Sequence, residues 1–215
     1  MTKTRDLNGP SLEALNETKF LIIFLHGWGS NGDDLIQIGY QWHEILNNIT
    51  FLAPNGADAC PENPLGRQWF DILSNNENNM LDGLEKSYLD LKIYISEHLK
   101  KYNLKKDSYF LVGFSQGTML ALHVAMKEQL QGIIGYSGAF LGSLRQEPNI
   151  KNDFLLIHGK NDGIVPVERM YKAHDTLKDI AKSIEYKVYD NLEHSINEDG
   201  LKEGIQFIKK RAFKI

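Results

Sequence analysis

The sequence is poor in cysteine. Its 215 residues hold one, Cys60, so no internal disulfide can form and the fold must hold without covalent cross-links, as is usual in the reducing cytoplasm. There are only six prolines, and no Pro/Gly/Ser-rich linker, low-complexity tract or internal repeat, which leaves residues 1–215 as one expected domain. No apolar run approaches the roughly 20 residues of a membrane span. The N-terminus, MTKTRDLNGPSLEALNETK, has no apolar stretch of the kind a secretion signal needs. A cytoplasmic protein without stable membrane insertion is expected.

An excess of positive charge is missing too. Lys and Arg number 24 against 28 Asp and Glu, a net charge of −4, so a clustered basic face for nucleic acid or anionic lipid is not expected. The pairs Lys100-Lys101 and Lys105-Lys106 and the run Lys209-Lys210-Arg211 are short and fall at expected helix ends, where cations complement the macrodipole. No His, Cys or carboxylate spacing matches a metal site, so neither metal nor cofactor is expected. Cys60 has no adjacent base and reads as a passive thiol.

What the chain does have is a recurrence of short apolar runs rich in β-branched and aromatic residues: FLIIFL at 20–25, ITFLAP at 49–54, SYFLVGF at 108–114, GIIGYSG at 132–138, FLLIHG at 154–159 and IEYKVYD at 184–190. Being brief and bounded by Gly, Pro, Asn or Asp, they predict buried strands. Helical spacing fills the intervals at 33–46, 80–102, 116–128, 166–180 and 198–211. In the second of these, Leu81, Leu84, Tyr88, Leu91, Ile95, Leu99 and Tyr102 form one stripe. Strands apolar throughout, alternating with helices, predict a mostly parallel sheet covered on both faces, with ligands at the carboxyl ends of its strands.

Gly113-Phe114-Ser115-Gln116-Gly117 joins the strand at 108–114 to the helix at 116–128. Composition alone predicts about 0.08 such pentapeptides by chance, so its placement between strand and helix carries the signal. A serine at that sharp turn is exposed and strained, flanked by glycines that let neighbouring backbone approach, and backed by a helix N-terminus that favours developing negative charge. The bland alternative is a Gly-rich turn whose serine caps a helix. An α/β-hydrolase fold then requires an acid and a histidine, in that order, on loops after later strands. Asp162 follows FLLIHG, and His194 follows IEYKVYD. A neutral imidazole can take the serine proton when a carboxylate holds its far nitrogen as a donor. Taken singly, Asp162 is a common turn residue and His194 an ordinary loop histidine; the ordered set with Ser115 points to a catalytic triad. Asp153 precedes its strand and Asp190 shares the histidine's loop, so both are poorer acids. Among the other histidines, His98, His123 and His174 fall in helices, His43 lies on the first helix, and His158 ends the strand before Asp162 and reads as structural.

Gly27-Trp28-Gly29-Ser30-Asn31-Gly32 superficially meets the dinucleotide fingerprint. However, Asp33 and Asp34 would repel a pyrophosphate at the helix N-terminus, and ITFLAP ends without an acid for a ribose hydroxyl. In a hydrolase the small residues of this loop instead allow one backbone N–H, from Gly27, Trp28 or Gly29, to face the substrate oxygen. The Gln116 N–H supplies the second donor.

The segments FLHGWGSNGDDL, APNG, GRQWFDI, GFSQGT, HGKNDGIVP and NLEHSI occur in order over nearly the whole chain. In them the sequence resembles the phospholipase/carboxylesterase family that includes the acyl-protein thioesterases, and is most similar to its small bacterial carboxylesterases. The resemblance implies an α/β-hydrolase fold, Ser115, Asp162 and His194 as the triad, and the Trp28 and Gln116 amides as the oxyanion hole. The substrate would be a small or acylated ester, thioester or lysophospholipid. Thr118 departs from the family, whose members often carry a second glycine there. The short stretch 139–153 leaves little space for a large cap domain. The irregular stretch 55–79 is long enough to cover a site. Its Trp69-Phe70 pair either anchors that loop or, with Leu65 and Leu73, lines a substrate pocket with Trp28 close by. A peptidase, an interfacial lipase or a catalytically silent binding protein on the same fold are the rivals. The oligomeric state, monomer or homodimer, is not set by the sequence.

Overall fold

The computed structural model describes residues 4–74, 76–142 and 151–213. In chain order the elements are β1 (Ser11–Leu12), β2 (Phe20–Leu25), α1 (Gly32–Trp42), β3 (Ile49–Leu52), β4 (Asp58–Ala59), β5 (Arg67–Gln68), α2 (Glu77–Lys101), β6 (Tyr109–Phe114), α3 (Gln116–Ala125), β7 (Gly132–Tyr136), β8 (Asp153–Gly159), α4 (Glu168–Leu177), β9 (Ser183–Tyr189) and α5 (Glu198–Ala212). Seven strands form one sheet in the order β1-β3-β2-β6-β7-β8-β9, and β4 and β5 form a separate hairpin. All main-sheet pairings are parallel except that of β1 with β3. This is the α/β-hydrolase architecture.

The central strands β2, β3, β6, β7 and β8 are apolar and buried because helices cover both faces of the sheet there, whereas the run at 184–190, expected to be a buried strand, forms the edge strand β9 with Glu185, Tyr186 and Lys187 exposed. Side chains alternate across the pleat, so Leu21, Ile23 and Leu25 of β2 join the layer beneath α2, α3 and α4, with Leu84, Leu91, Leu120 and Met170. Ile22 and Phe24 point the other way, into the layer of α1 and α5, with Ile36, Trp42, Phe207 and Ile208. Each such fully buried side chain contributes about 1.5–3 kcal/mol.

The chain leaves β2 for β3 on one side, then crosses to β6 on the other, so the order reverses between β2 and β6. Their parallel register sets Leu25 opposite Gly113. The loop after β2 and the turn after β6 therefore emerge side by side at a topological switch point, where such sheets form a crevice.

Three further features depart from expectation. The helix predicted over 33–46 ends at Trp42; Ile45 and Leu46 donate back to the Trp42 carbonyl, and Leu46 prolongs the apolar pattern only because the turn buries it. Within 55–79 lies the β4–β5 hairpin, two residues per strand and too short for any periodicity to show. β1, equally short, extends the sheet through an N-terminal strap. Asn8 and Pro10 accept from the Asn55 and Ala53 amides, and Arg5 binds the buried Asp90 of α2 and Asp58 of β4. Of the stretch 139–153, residues 143–150 lie outside those described. No helix among the described residues is long and apolar enough to cross a membrane.

Candidate active site

Ser115 stands between β6 and α3 with φ 53° and ψ −113°, a left-handed conformation that L-residues adopt only at a cost. The close packing explains the flanking glycines: a Cβ on Gly117 would collide with the Leu25 carbonyl of β2, and one on Gly113 with the Gly117 backbone. The serine hydroxyl makes no cap bond to α3. Instead its Oγ lies 3.0 Å from His194 Nε2.

His194 reaches that position because its loop lies directly on the end of β8. The space where Gly159 would carry a Cβ is taken by the Leu192 and Glu193 carbonyls, and the Asn161 amide donates to Leu192 O at 3.0 Å. The Phe114 ring packs against the imidazole with centroids 4.9 Å apart. Nδ1 of His194 lies 2.7 Å from Asp162 Oδ2, and the other carboxylate oxygen accepts from the Ile164 and Val165 amides at 2.9 and 2.8 Å. Burial works to raise the pKa of Asp162, but the hydrogen bonds from His194, Val165 and Ile164 outweigh it and hold the carboxyl below the ordinary aspartate range. With Asp162 ionised and Nδ1 donating to it, Nε2 is free to accept the serine proton.

The competing acids lie elsewhere. Asp153, at the start of β8, is bound by Lys182, Ser183 and Arg211, while Asp190 pairs with Lys160 at 2.8 Å on the surface.

Among the described hydrogen bonds, neither the Trp28 nor the Gln116 amide has an acceptor: Trp28 lies in a turn, and Gln116 is the first residue of α3, where an N–H has no carbonyl behind it. Both side chains are fixed. Trp28 Nε1 donates to Gln68 Oε1 at 2.8 Å. Gln116 accepts from the Trp69 amide at 2.9 Å and donates to the Phe70 carbonyl at 2.8 Å.

That clamp corrects the pocket expected from the sequence. Trp69 and Phe70 are each 1% exposed and belong to the core beneath the 55–79 loop, with the Trp69 indole donating to His26 O at 2.9 Å. They anchor rather than line. Leu65 and Leu73, 85% and 53% exposed, border no cavity at Ser115. The cavity that does adjoin Ser115 and His194, of about 470 Å³, is walled by Trp28, Leu35, Ile38, Phe114, Ile196 and Leu201. Sequence reasoning missed Leu35, Ile38 and Leu201 because helical spacing assigns such residues to the core. The available signal was that Leu35 and Ile38 lie in the first two turns after the Gly-rich loop.

The dinucleotide alternative finds no support in this loop. The Gly32 amide is taken by Asn55 Oδ1 at 2.8 Å and that of Asp34 by Asn31 Oδ1 at 3.2 Å, and the Ala53 carbonyl fills the space over Gly32. Thr118 donates to Tyr136 O at 2.8 Å, and its methyl occupies room left by Gly135 and Gly138, so the departure at this position is absorbed beneath Ser115. Among the described residues no group of three or more His, Cys, Asp or Glu side chains is placed to hold a metal.

His26, which sequence reasoning passed over, holds the turn that carries Trp28. Its Nδ1 donates to Gly27 O at 2.7 Å and its Nε2 accepts from the Gly56 amide at 2.9 Å, so the folded state needs it neutral. Burial lowers its pKa to about 4. As pH falls below about 6.5, the ordinary histidine value, the unfolded chain takes up a proton that the folded chain refuses. Stability present above that pH is therefore lost progressively down to about pH 4, by about 3 kcal/mol from this residue. Urea denaturation of wild type and His26→Gln from pH 7.5 to 4.5 should show the gap between them narrowing as pH falls. A constant gap would remove His26 as the source.

A serine on a strand-to-helix elbow, within reach of a histidine–aspartate pair on an α/β-hydrolase sheet, is the arrangement of a serine hydrolase. Comparison with known proteins narrows it. Residues 13–212 match the family model described as Phospholipase/Carboxylesterase, and the chain belongs to that family. It is 30% identical to acyl-protein thioesterase 1 of Saccharomyces cerevisiae, over 95% of this chain and 98% of that one. Among solved structures, esterase PE8 superimposes with a TM-score of 0.90 at 32% identity, covering 96% of this chain and all of that one. SOBER1 of Arabidopsis thaliana does so at 0.77 and 26%, covering 90% and 99%.

Proposed function

We propose that this protein hydrolyses carboxylic esters and thioesters through an acyl-serine intermediate, with Ser115 as nucleophile, His194 as base and acid, and Asp162 as the carboxylate that orients the histidine. The observation that carries the proposal is the continuous chain from Ser115 Oγ to His194 Nε2 at 3.0 Å and from His194 Nδ1 to Asp162 at 2.7 Å. His194 removes the serine proton as Oγ attacks the carbonyl carbon, and returns it to the departing alcohol or thiol. Water, deprotonated by the same imidazole, then releases the acid. The Trp28 and Gln116 amides, unclaimed by other groups among the described residues, receive the oxyanion. Losing one such donor in other serine hydrolases costs about 3–4 kcal/mol of transition-state stabilisation.

The cavity walled by Leu35, Ile38 and Leu201 receives the acyl chain, and each methylene enclosed adds about 0.8 kcal/mol until the chain meets water. A fluorophosphonate probe should label Ser115 alone, and turnover of p-nitrophenyl esters should rise with acyl length and then level or fall in the medium range. A protein that neither labels nor turns over any ester would instead be a silent binding protein on this fold.

A further inference from the structure

His158 closes β8, four residues before Asp162, and is fully buried, at 0% exposure. Its Nε2 lies 2.7 Å from the Val165 carbonyl and 3.3 Å from Asp162 Oδ2, the oxygen that also receives His194. A carbonyl can only accept, so Nε2 carries the hydrogen and Nδ1 is bare. Nδ1 has no partner among the described residues. A buried acceptor left unpaired is a penalty that leucine or phenylalanine would avoid while filling the same space. Packing alone therefore does not account for an imidazole here; the use of Nε2 does.

Val165 links His158 to Asp162. Val165 donates its amide to Asp162 Oδ1 and receives His158 on its carbonyl, so the turn from Asp162 to Val165 is tied to the end of β8 from both sides. We propose that His158 is a positioning residue of the catalytic apparatus, a neutral donor that holds the Val165 carbonyl, keeps the Val165 amide on Asp162 and so fixes the carboxylate that faces His194. This rests on Asp162 being the acid of the triad. The other ionisable groups acting on His158 are Asp162 itself, His194 and Glu168 at the start of α4; burial dominates and lowers its pKa, which keeps the ring neutral.

His158 acts on Asp162 through one buried hydrogen bond to the Val165 carbonyl, and the loss of one such bond sets an effect of up to about tenfold. His158→Leu should lower kcat about tenfold with KM unchanged. His158→Gln, which keeps an N–H near the position of Nε2, should restore most of it. In the Asp162→Asn background, where no carboxylate is left to hold, His158→Leu should bring no further loss. If His158→Leu does not fold, the comparison passes to His158→Gln against His158→Asn, whose shorter amide cannot reach Val165; the glutamine variant should be the more active. Wild-type turnover in His158→Leu, losses that multiply with Asp162→Asn, or a glutamine variant no better than leucine or asparagine would each overturn the proposal. Wild-type activity in Asp162→Asn alone would instead remove the acid assignment on which it rests.

Discussion

Ser115→Ala should lower kcat toward esters by 10⁴-fold or more and abolish fluorophosphonate labelling, while the melting temperature stays within a few degrees of wild type. The three residues act as a unit, so removing the nucleophile removes nearly all that the unit supplies. What survives is the contribution of binding and of the unclaimed Trp28 and Gln116 amides. Little structural loss is expected. The hydroxyl caps no helix and, among the described residues, its side-chain bond is to His194 alone, and alanine is no more strained than serine at φ 53°. Undiminished turnover by the purified variant would mean that another group attacks the ester.

Asp162→Asn should reduce kcat by about 10⁴-fold, because an amide at Oδ2 can present a donor to His194 and so favour the wrong tautomer of the imidazole. The comparison that gives this weight is with the two other aspartates near in sequence. Asp190 is paired with Lys160 at the surface, and Asp190→Asn should leave activity within about twofold. Asp153→Asn breaks into the Lys182, Ser183 and Arg211 cluster at the opposite end of β8, so it should lower the melting temperature but not the turnover of the folded enzyme. Steady-state kinetics on the three variants, each with a thermal melt, separates these outcomes. Equal losses of kcat would show that the acid has been chosen on a mistaken topology.

The strands, the helices and the elements that bring Ser115, Asp162 and His194 together were legible in the sequence because each rests on local pattern plus one topological rule: apolar runs bounded by turn residues, glycines around a serine, an acid and a histidine after successive later strands. The pocket was not legible. Whether Trp69 faces a cavity or the core depends on whether its two N–H groups find acceptors, and those are the Gln116 side chain, 47 positions away, and the His26 carbonyl, 43 positions away. No periodicity encodes such pairings. The apolar stripe of α1 likewise reads the same whether its N-terminal turn covers core or borders a crevice. β1 and the β4–β5 hairpin, with two residues per strand, are set by tertiary hydrogen bonds alone.

The cavity beside Ser115 has two kinds of wall. The groups proposed to make and break bonds stand on loops that follow β2, β6, β8 and β9, whereas much of its apolar lining comes from Leu35 and Ile38 of α1 and Leu201 of α5, helices that carry none of the triad. On the proposed function, selectivity and chemistry are thus written on different stretches of one chain. A lineage, or an engineer, can enlarge, narrow or re-polarise the receiving surface through those helix positions while the bond-breaking geometry stays as it is. A change in what is cleaved does not demand a change in how.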